Sequence, residues 1–158
     1  MKNIILLTTA LILSFSAFAD EKSACTAAAG SLVTGEVVTP PVFKGGKYQR
    51  GVQLSHTHFT VKSDKDGKRY DVAADNVFAS GYQKNSQEVP APLNSIKIGD
   101  HVSLCGQLYT SGTGIHWVHT NCGAKPKPNK PNGWIKILKS DGSESENFED
   151  SQNYCKLW

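Results

Sequence analysis

The sequence predicts an all-β domain: a small barrel of five to six strands, followed by a C-terminal extension that a disulfide pins. Three observations support this fold class. Short β-prone segments alternate polar with apolar residues and are separated by Gly, Pro and Asp turns. Four cysteines follow an apolar N-terminus, and the composition becomes acidic after residue 138. We therefore expect a barrel domain over residues 20–138 and an acidic C-terminal extension over residues 139–158.

Residues 1–19 have the features of a secretory signal peptide. Lys2 supplies the positive start, an apolar stretch follows, and Ala17-Phe18-Ala19 forms a cleavage site. A membrane anchor is the alternative, but the apolar run is short for a span of about 20 residues. We expect an exported protein, periplasmic or secreted, without a transmembrane segment after cleavage. In such an oxidising compartment the four cysteines predict two disulfide bonds.

The first three strands are assigned from alternation and turn residues. Residues 31–39 predict a first strand, and the glycine-rich residues 44–51 predict a mobile loop. A second strand spans residues 52–62, and a third, residues 68–74, pairs back on it across the turn at 63–67. Alternation along the second strand separates two faces, of which one carries Leu54, His56, His58 and Thr60 and the other Gln53, Ser55, Thr57, Phe59 and Val61.

A longer connection over residues 75–92, with one short helix near residues 76–80, leads to the remaining strands. Residues 102–122 predict a hairpin of the fourth and fifth strands, and residues 134–138 a sixth strand after a Pro/Lys-rich linker. Five strands with the long connection between the third and the fourth match an OB-like barrel, and another small Greek-key barrel would give a similar pattern.

The hairpin determines the expected core and the expected disulfides. A turn centred on Thr113-Gly114 places Cys105 opposite Cys122, which leaves Cys25 to pair with Cys155. Alternation then predicts a core face of Leu104, Leu108, Ile115 and Trp117, and an outer face of Tyr109, His116, Val118 and the two hairpin cysteines. A zinc site is the alternative use of the cysteines, but the sequence contains no C-x-x-C pair.

The charge is distributed unevenly along the chain. The whole sequence has 17 Lys and Arg against 14 Asp and Glu, a net charge of +3. Fifteen of the bases but only seven of the acids lie in residues 22–139, whereas five acids lie in the extension. A basic body attracts polyanions, whose phosphate groups then dominate the affinity. An acidic extension that folds across the basic surface would mask it.

All five histidines lie in or beside predicted strands, and they allow several kinds of site. His56 and His58 share a face at a spacing that suits two ligands of one metal ion, although we expect no metal or other cofactor. His116 and His119 are expected on opposite faces of a regular strand, which counts against a shared ion. Two-histidine phosphoesterases use paired His-x-Thr/Ser motifs, which His58-Phe-Thr60 and His101-Val-Ser103 resemble.

These patterns favour a binding module over an enzyme, with an anionic or sugar polymer, nucleic acid or oligosaccharide, as its ligand. The candidate contacts are basic, aromatic and imidazole side chains, namely Lys47, Arg50, His56, His58, Tyr109 and His116, with electrostatic support from Lys68 and Arg69. We expect a monomer. Two alternatives stay open. One is a small phosphodiesterase or nuclease that uses the pair His58/His101 or the pair His116/His119, and the other is a secreted effector that binds a protein partner.

Gly114-Ile-His-Trp-Val-His119, followed by Gly133-Trp-Ile135, resembles the pattern of a family of small exported bacterial proteins classed as a domain of unknown function. That pattern is Gly-x-Ile-His-Trp-Thr-His-x-Asp followed by Gly-Trp-Ile, with a lead-in that residues 96–102 match. The resemblance covers about residues 35–135 and implies export and an OB-like barrel, without an activity. The chain departs from the family at Val118 and Asn121, where Thr and Asp are usual, and in its added extension, so we transfer no site residues.

Overall fold

The structure is a computed structural model that describes residues 13–158. Residues 1–12 of the predicted signal peptide lie outside the described part of the chain. The first described element is helix α1, Leu13–Ala27, which runs through the predicted cleavage site. A search of residues 13–158 finds no helix with the length and apolar character that a membrane span requires.

Nine strands and three short 3-10 helices follow in residues 28–158. The strands are β1 Ser31–Val37, β2 Val42–Lys44, β3 Tyr48–Gln49, β4 Val52–Gln53, β5 His56–Ser63, β6 Arg69–Asp75, β7 His101–Leu108, β8 Gly114–His116 and β9 Trp134–Leu138. The 3-10 helices are Asn76–Phe78, Leu93–Ser95 and Cys155–Leu157. The six predicted strands are therefore found, with the second divided into β4 and β5, and β2 and β3 are additions.

Five strands close into a barrel in the order β1–β5–β6–β8–β7, and β7 pairs with β1 again. The ladders within the barrel are antiparallel except that between β6 and β8, which is parallel. β9 adds to the edge of β7 beside β8, and β2 adds to the edge of β5 beside β1. This arrangement confirms the predicted OB-like barrel with additional strands.

The barrel core follows the predicted alternation on β5, because Thr57, Phe59 and Val61 are buried while the alternating residues His56, His58 and Thr60 are half-buried. On the hairpin the prediction is only partly confirmed. Leu104 and Ile115 are fully buried, but Leu108 is 40% exposed and Trp117 lies at the barrel surface, partly exposed.

The register of the β7–β8 hairpin explains that difference. Gln107 faces His116, so the turn centres on Ser111-Gly112, two residues earlier than Thr113-Gly114. Gly112 adopts the left-handed φ of +79° that this turn requires. β8 then ends at His116 because Trp117 itself has a φ of +53°, so the strand never extends to Cys122.

The disulfide pairing predicted from the hairpin is therefore wrong, although the predicted number of two disulfide bonds is confirmed. Cys25 of α1 is bonded to Cys105 of β7, and Cys122 is bonded to Cys155, with Cα–Cα distances of 5.7 and 5.4 Å. Both sides of β7 are buried, since α1 covers the side on which Cys105 lies. The second bond joins the start of the linker to the C-terminal extension, and so it pins the extension as predicted.

Two segments expected to be irregular are built into the fold. Residues 44–51, predicted as a mobile loop, contain the last residue of β2 and the whole of β3, and β3 forms a small hairpin with β4. The extension, predicted to be poorly ordered, runs back along β9, where Phe148 N–H donates to Ile135 O. Its last helix buries Leu157 against Val52 and Phe78 in a second apolar cluster, which orders the extension.

Candidate functional site

The outward surface of the neighbouring strands β5, β6 and β8 carries the largest group of polar functional side chains that the sequence singled out. We call this surface the imidazole face and define it by His56, His58, Asp71, Asp75, Tyr109 and His116. The strands present these side chains because the residues that alternate with them, among them Phe59, Val72 and Ile115, fill the core.

Two carboxylates of β6 pair with the two histidines of β5. His56 lies directly opposite Asp75 in the ladder, and its Nε2 is 2.9 Å from Asp75 Oδ1. His58 reaches diagonally to Asp71, so that its Nδ1 lies 3.0 Å from each carboxylate oxygen. Since a carboxylate only accepts, the Nδ1–H of His58 donates, and the Nε2 on the other side of the ring is directed away from Asp71.

Tyr109 connects the second pair to β8. Its hydroxyl donates to Asp71 Oδ2 at 2.6 Å, and its ring lies 5.5 Å from the ring of His116 in an edge-on arrangement. The Tyr109 ring also covers Gly114 so closely that a Cβ on Gly114 would lie 2.3 Å from a ring carbon. Only glycine leaves room for the tyrosine at this position.

His58 and His116 lie on either side of one small residue. His58 faces Ala73 in the β5–β6 ladder, and Val72 faces Ile115 in the parallel β6–β8 ladder. Continuing that register by one residue places His116 beside Ala73. Neighbouring strands are about 4.8 Å apart, so the two histidines stand about 10 Å apart at their Cα atoms across a methyl group.

Behind the face, Asp75 is held by residues from the end of the chain and from the segment after β8. Its backbone N–H donates to Oε2 of the fully buried Glu149 at 3.0 Å, and His119 Nε2 lies 3.4 Å from its Oδ2. His119 is only 3% exposed and stacks on Phe78 at 3.7 Å. Asp75 is therefore held by His56 on one side and by Glu149 and His119 on the other.

The positive φ of Trp117 changes the expected relation of His116 and His119. A regular strand would separate them onto opposite faces, but the chain turns at Trp117, and both come within electrostatic range of Asp75. The two side chains still differ in solvent exposure, because His116 is half-buried at the surface whereas His119 is buried.

The pKa values of the imidazoles diverge for physical reasons. The hydrogen bond to Asp75 raises the pKa of His56 above its usual range, and this gain outweighs the opposing effect of burial. Burial lowers the pKa of His116, although the Asp75 charge partly opposes the shift. Burial likewise lowers the pKa of His119. The face thus combines an imidazole that favours protonation with one that favours the neutral form.

The pKa values of the carboxyl groups Asp71 and Glu149 also shift in opposite directions. Burial alone would raise the pKa of Asp71, but the hydrogen bonds from Tyr109 and His58 outweigh it and lower the pKa. Burial, together with the charge of Asp75, raises the pKa of Glu149 well above its usual range. Asp71 is thus a carboxylate with fixed partners, and Glu149 favours its neutral acid form.

The basic residues predicted to bind ligand are not all brought to this face. Lys47 is exposed in the loop between β2 and β3, and Arg50, at the β3–β4 turn, donates through Nη1 to the carbonyl oxygen of Lys156. Lys68 is exposed beside Asp66, before β6. Instead, Lys44 of β2 lies opposite His56 in the ladder, and its charge acts on Asp71.

His101 lies apart from the imidazole face. Its Nε2 is 2.8 Å from Asp64 Oδ2, and with Thr34 and Lys65 the two line an open cavity of about 440 Å³. His101 faces Glu36 of β1, which faces Lys62 of β5, four residues or about 13 Å along the strand from His58. The suggested catalytic pair His58/His101 is therefore not brought together.

Within residues 13–158, no three His, Cys, Asp or Glu side chains are placed to hold one metal ion. The His56 and His58 rings, the alternative metal pair, lie 6.2 Å apart at their centroids and each contacts its own aspartate.

Several residues of the site were missed by the sequence reasoning. Asp75 and Asp71 were detectable, because the turn at 63–67 fixes the β5–β6 register: Ser63 N–H donates to Lys68 O, which places Asp75 opposite His56. No comparable signal exists for Glu149, since its contact with β6 joins segments 74 residues apart.

In comparisons with known proteins, no family model, curated protein or solved structure matches the chain. The resemblance to a family of exported bacterial domains therefore stays a prediction.

Proposed function

We propose that the protein is an exported binding module for an anionic polymer, single-stranded nucleic acid in particular, and that the imidazole face holds this ligand. One observation carries the proposal: imidazole, aromatic and lysine side chains converge on the outside of β5, β6 and β8. OB-type barrels bind oligonucleotides and oligosaccharides on the corresponding side, with the loops that flank it.

The chemistry of the face suits a phosphate backbone. The carboxylates of Asp71 and Asp75 are occupied by imidazoles, while Lys44 on the neighbouring strand supplies an exposed ammonium group. Tyr109 presents an aromatic ring on which a base can stack. Bases exceed acids in residues 22–139, but the acidic extension packs onto the same domain, so residues 20–158 keep a net charge of only +2. The long-range attraction for a polyanion is therefore small.

The charge of the face depends on the protonation of its imidazoles. With His56 neutral, Lys44 and the two aspartates give a net charge of −1. Protonation of His56, whose pKa the hydrogen bond to Asp75 raises, cancels that charge. We therefore expect the affinity for a polyanion to rise as the pH falls from about 8 to about 5.5.

Export is the second part of the proposal. Two disulfides, with no free cysteine in residues 13–158, indicate an oxidising environment. The apolar N-terminus with its Ala-x-Ala site supports delivery to the periplasm or the exterior.

Fluorescence anisotropy with a labelled short single-stranded oligonucleotide, in a salt series, tests the binding. We expect Lys44→Ala to weaken binding and to reduce the slope of log affinity against log salt by about 0.7, the value for one lost contact with a single strand. Lys139→Ala is the matched control, because this exposed lysine follows β9, three strands from β5 around the barrel. Equal losses in the two variants, or no binding at low salt, would refute the proposal.

A neutral oligosaccharide is the second candidate ligand. The Asp71 side chain is 39% exposed beside the Tyr109 ring, and carboxylate oxygens next to an aromatic ring suit sugar hydroxyls and the apolar sugar face. Binding to a neutral glycan should change little with salt or with Lys44→Ala, so the same titrations distinguish the two ligand classes.

A further inference from the structure

We propose that the imidazole face also cleaves single-stranded RNA, with His116 as general base and His58 as general acid. This inference rests on the proposed binding function and adds a reaction to it. It replaces the two histidine pairs suggested by the sequence with a third, His58/His116, which the β5–β6–β8 register creates.

The reaction requires no co-reactant. His116 takes the proton of a ribose 2′-hydroxyl, whose oxygen attacks the adjacent phosphorus. The new P–O2′ bond forms while the P–O5′ bond breaks, and the departing O5′ takes a proton from His58. The products are a 2′,3′-cyclic phosphate and a 5′-hydroxyl, and the two imidazoles have exchanged protonation states.

The geometry supports this division of roles. An in-line displacement needs its base and its acid on opposite sides of the phosphorus, because the attacking and leaving oxygens are opposed. His58 and His116 stand on opposite sides of Ala73, about 10 Å apart at their Cα atoms. Ala73 presents only a methyl group between them, so the two rings can flank a phosphate.

His58 has the support that a general acid needs. Asp71 holds its Nδ1 at 3.0 Å, which fixes the orientation of the ring. Nε2 then carries the transferable proton and is directed away from the carboxylate. Tyr109 holds Asp71 in turn at 2.6 Å, so Asp71 and Tyr109 are positioning residues.

His116 has the surroundings of a general base. Burial favours its neutral form, which can accept a proton. The charged and titratable groups around it are Asp75 of β6, His56 of β5, Tyr109 after β7, and the buried His119. Around His58 they are Asp71, His56 and Lys44, and the ammonium of Lys44 offsets the charge that develops on the phosphate oxygens.

Cleavage of an end-labelled single-stranded RNA, in EDTA and with the full oxidised chain, tests the inference. We expect His58→Gln and His116→Gln each to reduce the cleavage rate about 100-fold or more, the usual contribution of one acid or base. His101→Gln is the matched control, because His101 also contacts an aspartate but lies at another part of the barrel. The wild-type rate should fall at acid pH as His116 becomes protonated. Asp71→Asn should lower kcat with little change in KM, as expected of a positioning residue.

Binding of a 2′-O-methyl RNA, which lacks the nucleophile, is measured on the same samples, and thermal unfolding confirms that each variant is folded. If the analogue binds while RNA stays intact, the catalytic inference fails and the binding proposal stands. If the analogue does not bind, both fail. Equal cleavage by wild type, His58→Gln and His116→Gln would also overturn the inference, since it would identify a contaminating nuclease.

Discussion

Replacing Glu149 by Gln should stabilise the protein at neutral pH, and the gain should grow with pH. The Glu149 side chain is fully buried, its Oε2 accepts from Asp75 N–H, and its Oε1 has no hydrogen-bond partner among the described residues. Burial and the nearby Asp75 charge raise the pKa of Glu149 well above its usual range. The folded protein therefore holds this proton at pH values where the unfolded chain has released it.

The size of this gain in the free energy of unfolding follows from proton linkage. The stabilisation by protonated Glu149 is complete below the unfolded pKa of about 4.3 and is lost as pH rises toward the folded pKa. Over that interval the folded state binds one more proton than the unfolded state, so each pH unit lowers the free energy of unfolding by about 1.4 kcal/mol. Gln does not titrate. The stability of Glu149→Gln relative to wild type should thus rise by about 1.4 kcal/mol per pH unit from about pH 5 until the pH reaches the folded pKa, and then level off.

Urea unfolding followed by tryptophan fluorescence, at several pH values between about 5 and 8, measures this difference. The lowered pKa values of His116 and His119 act in the opposite direction, since the stability they contribute is lost as pH falls. They are common to both proteins and cancel in the comparison. Glu146→Gln, an exposed change in the same extension, is the control and should leave the pH dependence unchanged. Parallel curves for wild type and Glu149→Gln would refute the argument.

Three further predictions concern the core, the face and the extension. Gly114→Ala should displace the Tyr109 ring and cost about 1–3 kcal/mol by overpacking, visible in thermal unfolding together with weaker oligonucleotide binding; an unchanged melting temperature would contradict it. Phe59→Ala should cost about 3–5 kcal/mol in urea unfolding because Phe59 is only 2% exposed in the barrel core. Removing the Cys122–Cys155 bond by a double change to Ala should cost about 4 kcal/mol, given its sequence separation of 33, and should release the extension to protease. A variant as protease-resistant as wild type would show that the extension holds without the bond.

Local patterns predicted those parts of the fold that neighbouring residues control. The sixth strand, residues 134–138, was predicted with its observed bounds, and the first and third strands differ from β1 and β6 by at most two residues at an end. Inward Phe59 and Val61 and outward His56 and His58 follow from alternation alone. The sequence alone therefore places two members of the candidate site, His56 and His58, on the same outer face of one strand, as observed.

Local patterns did not predict the turn position and the register of the β7–β8 hairpin. Several glycines near residue 112 satisfy a turn equally well, and the choice between them depends on what packs against the strands. Gly114 has to lie under the Tyr109 ring, so Gly112 makes the turn, and the register shifts with it. That shift separates Cys105 from Cys122 and leaves Cys105 to the helix that covers β7.

Residue types at fixed spacing thus established the all-β class, the strand sequence and the direction of the side chains along β5, because these depend on neighbours two to five positions apart. Contacts across the fold established the disulfide partners, the opposition of His58 and His116 over Ala73, and the burial of Glu149 behind Asp75. Such contacts depend on which distant surfaces bury the most apolar area together while satisfying their polar groups, and no short stretch of sequence contains both partners.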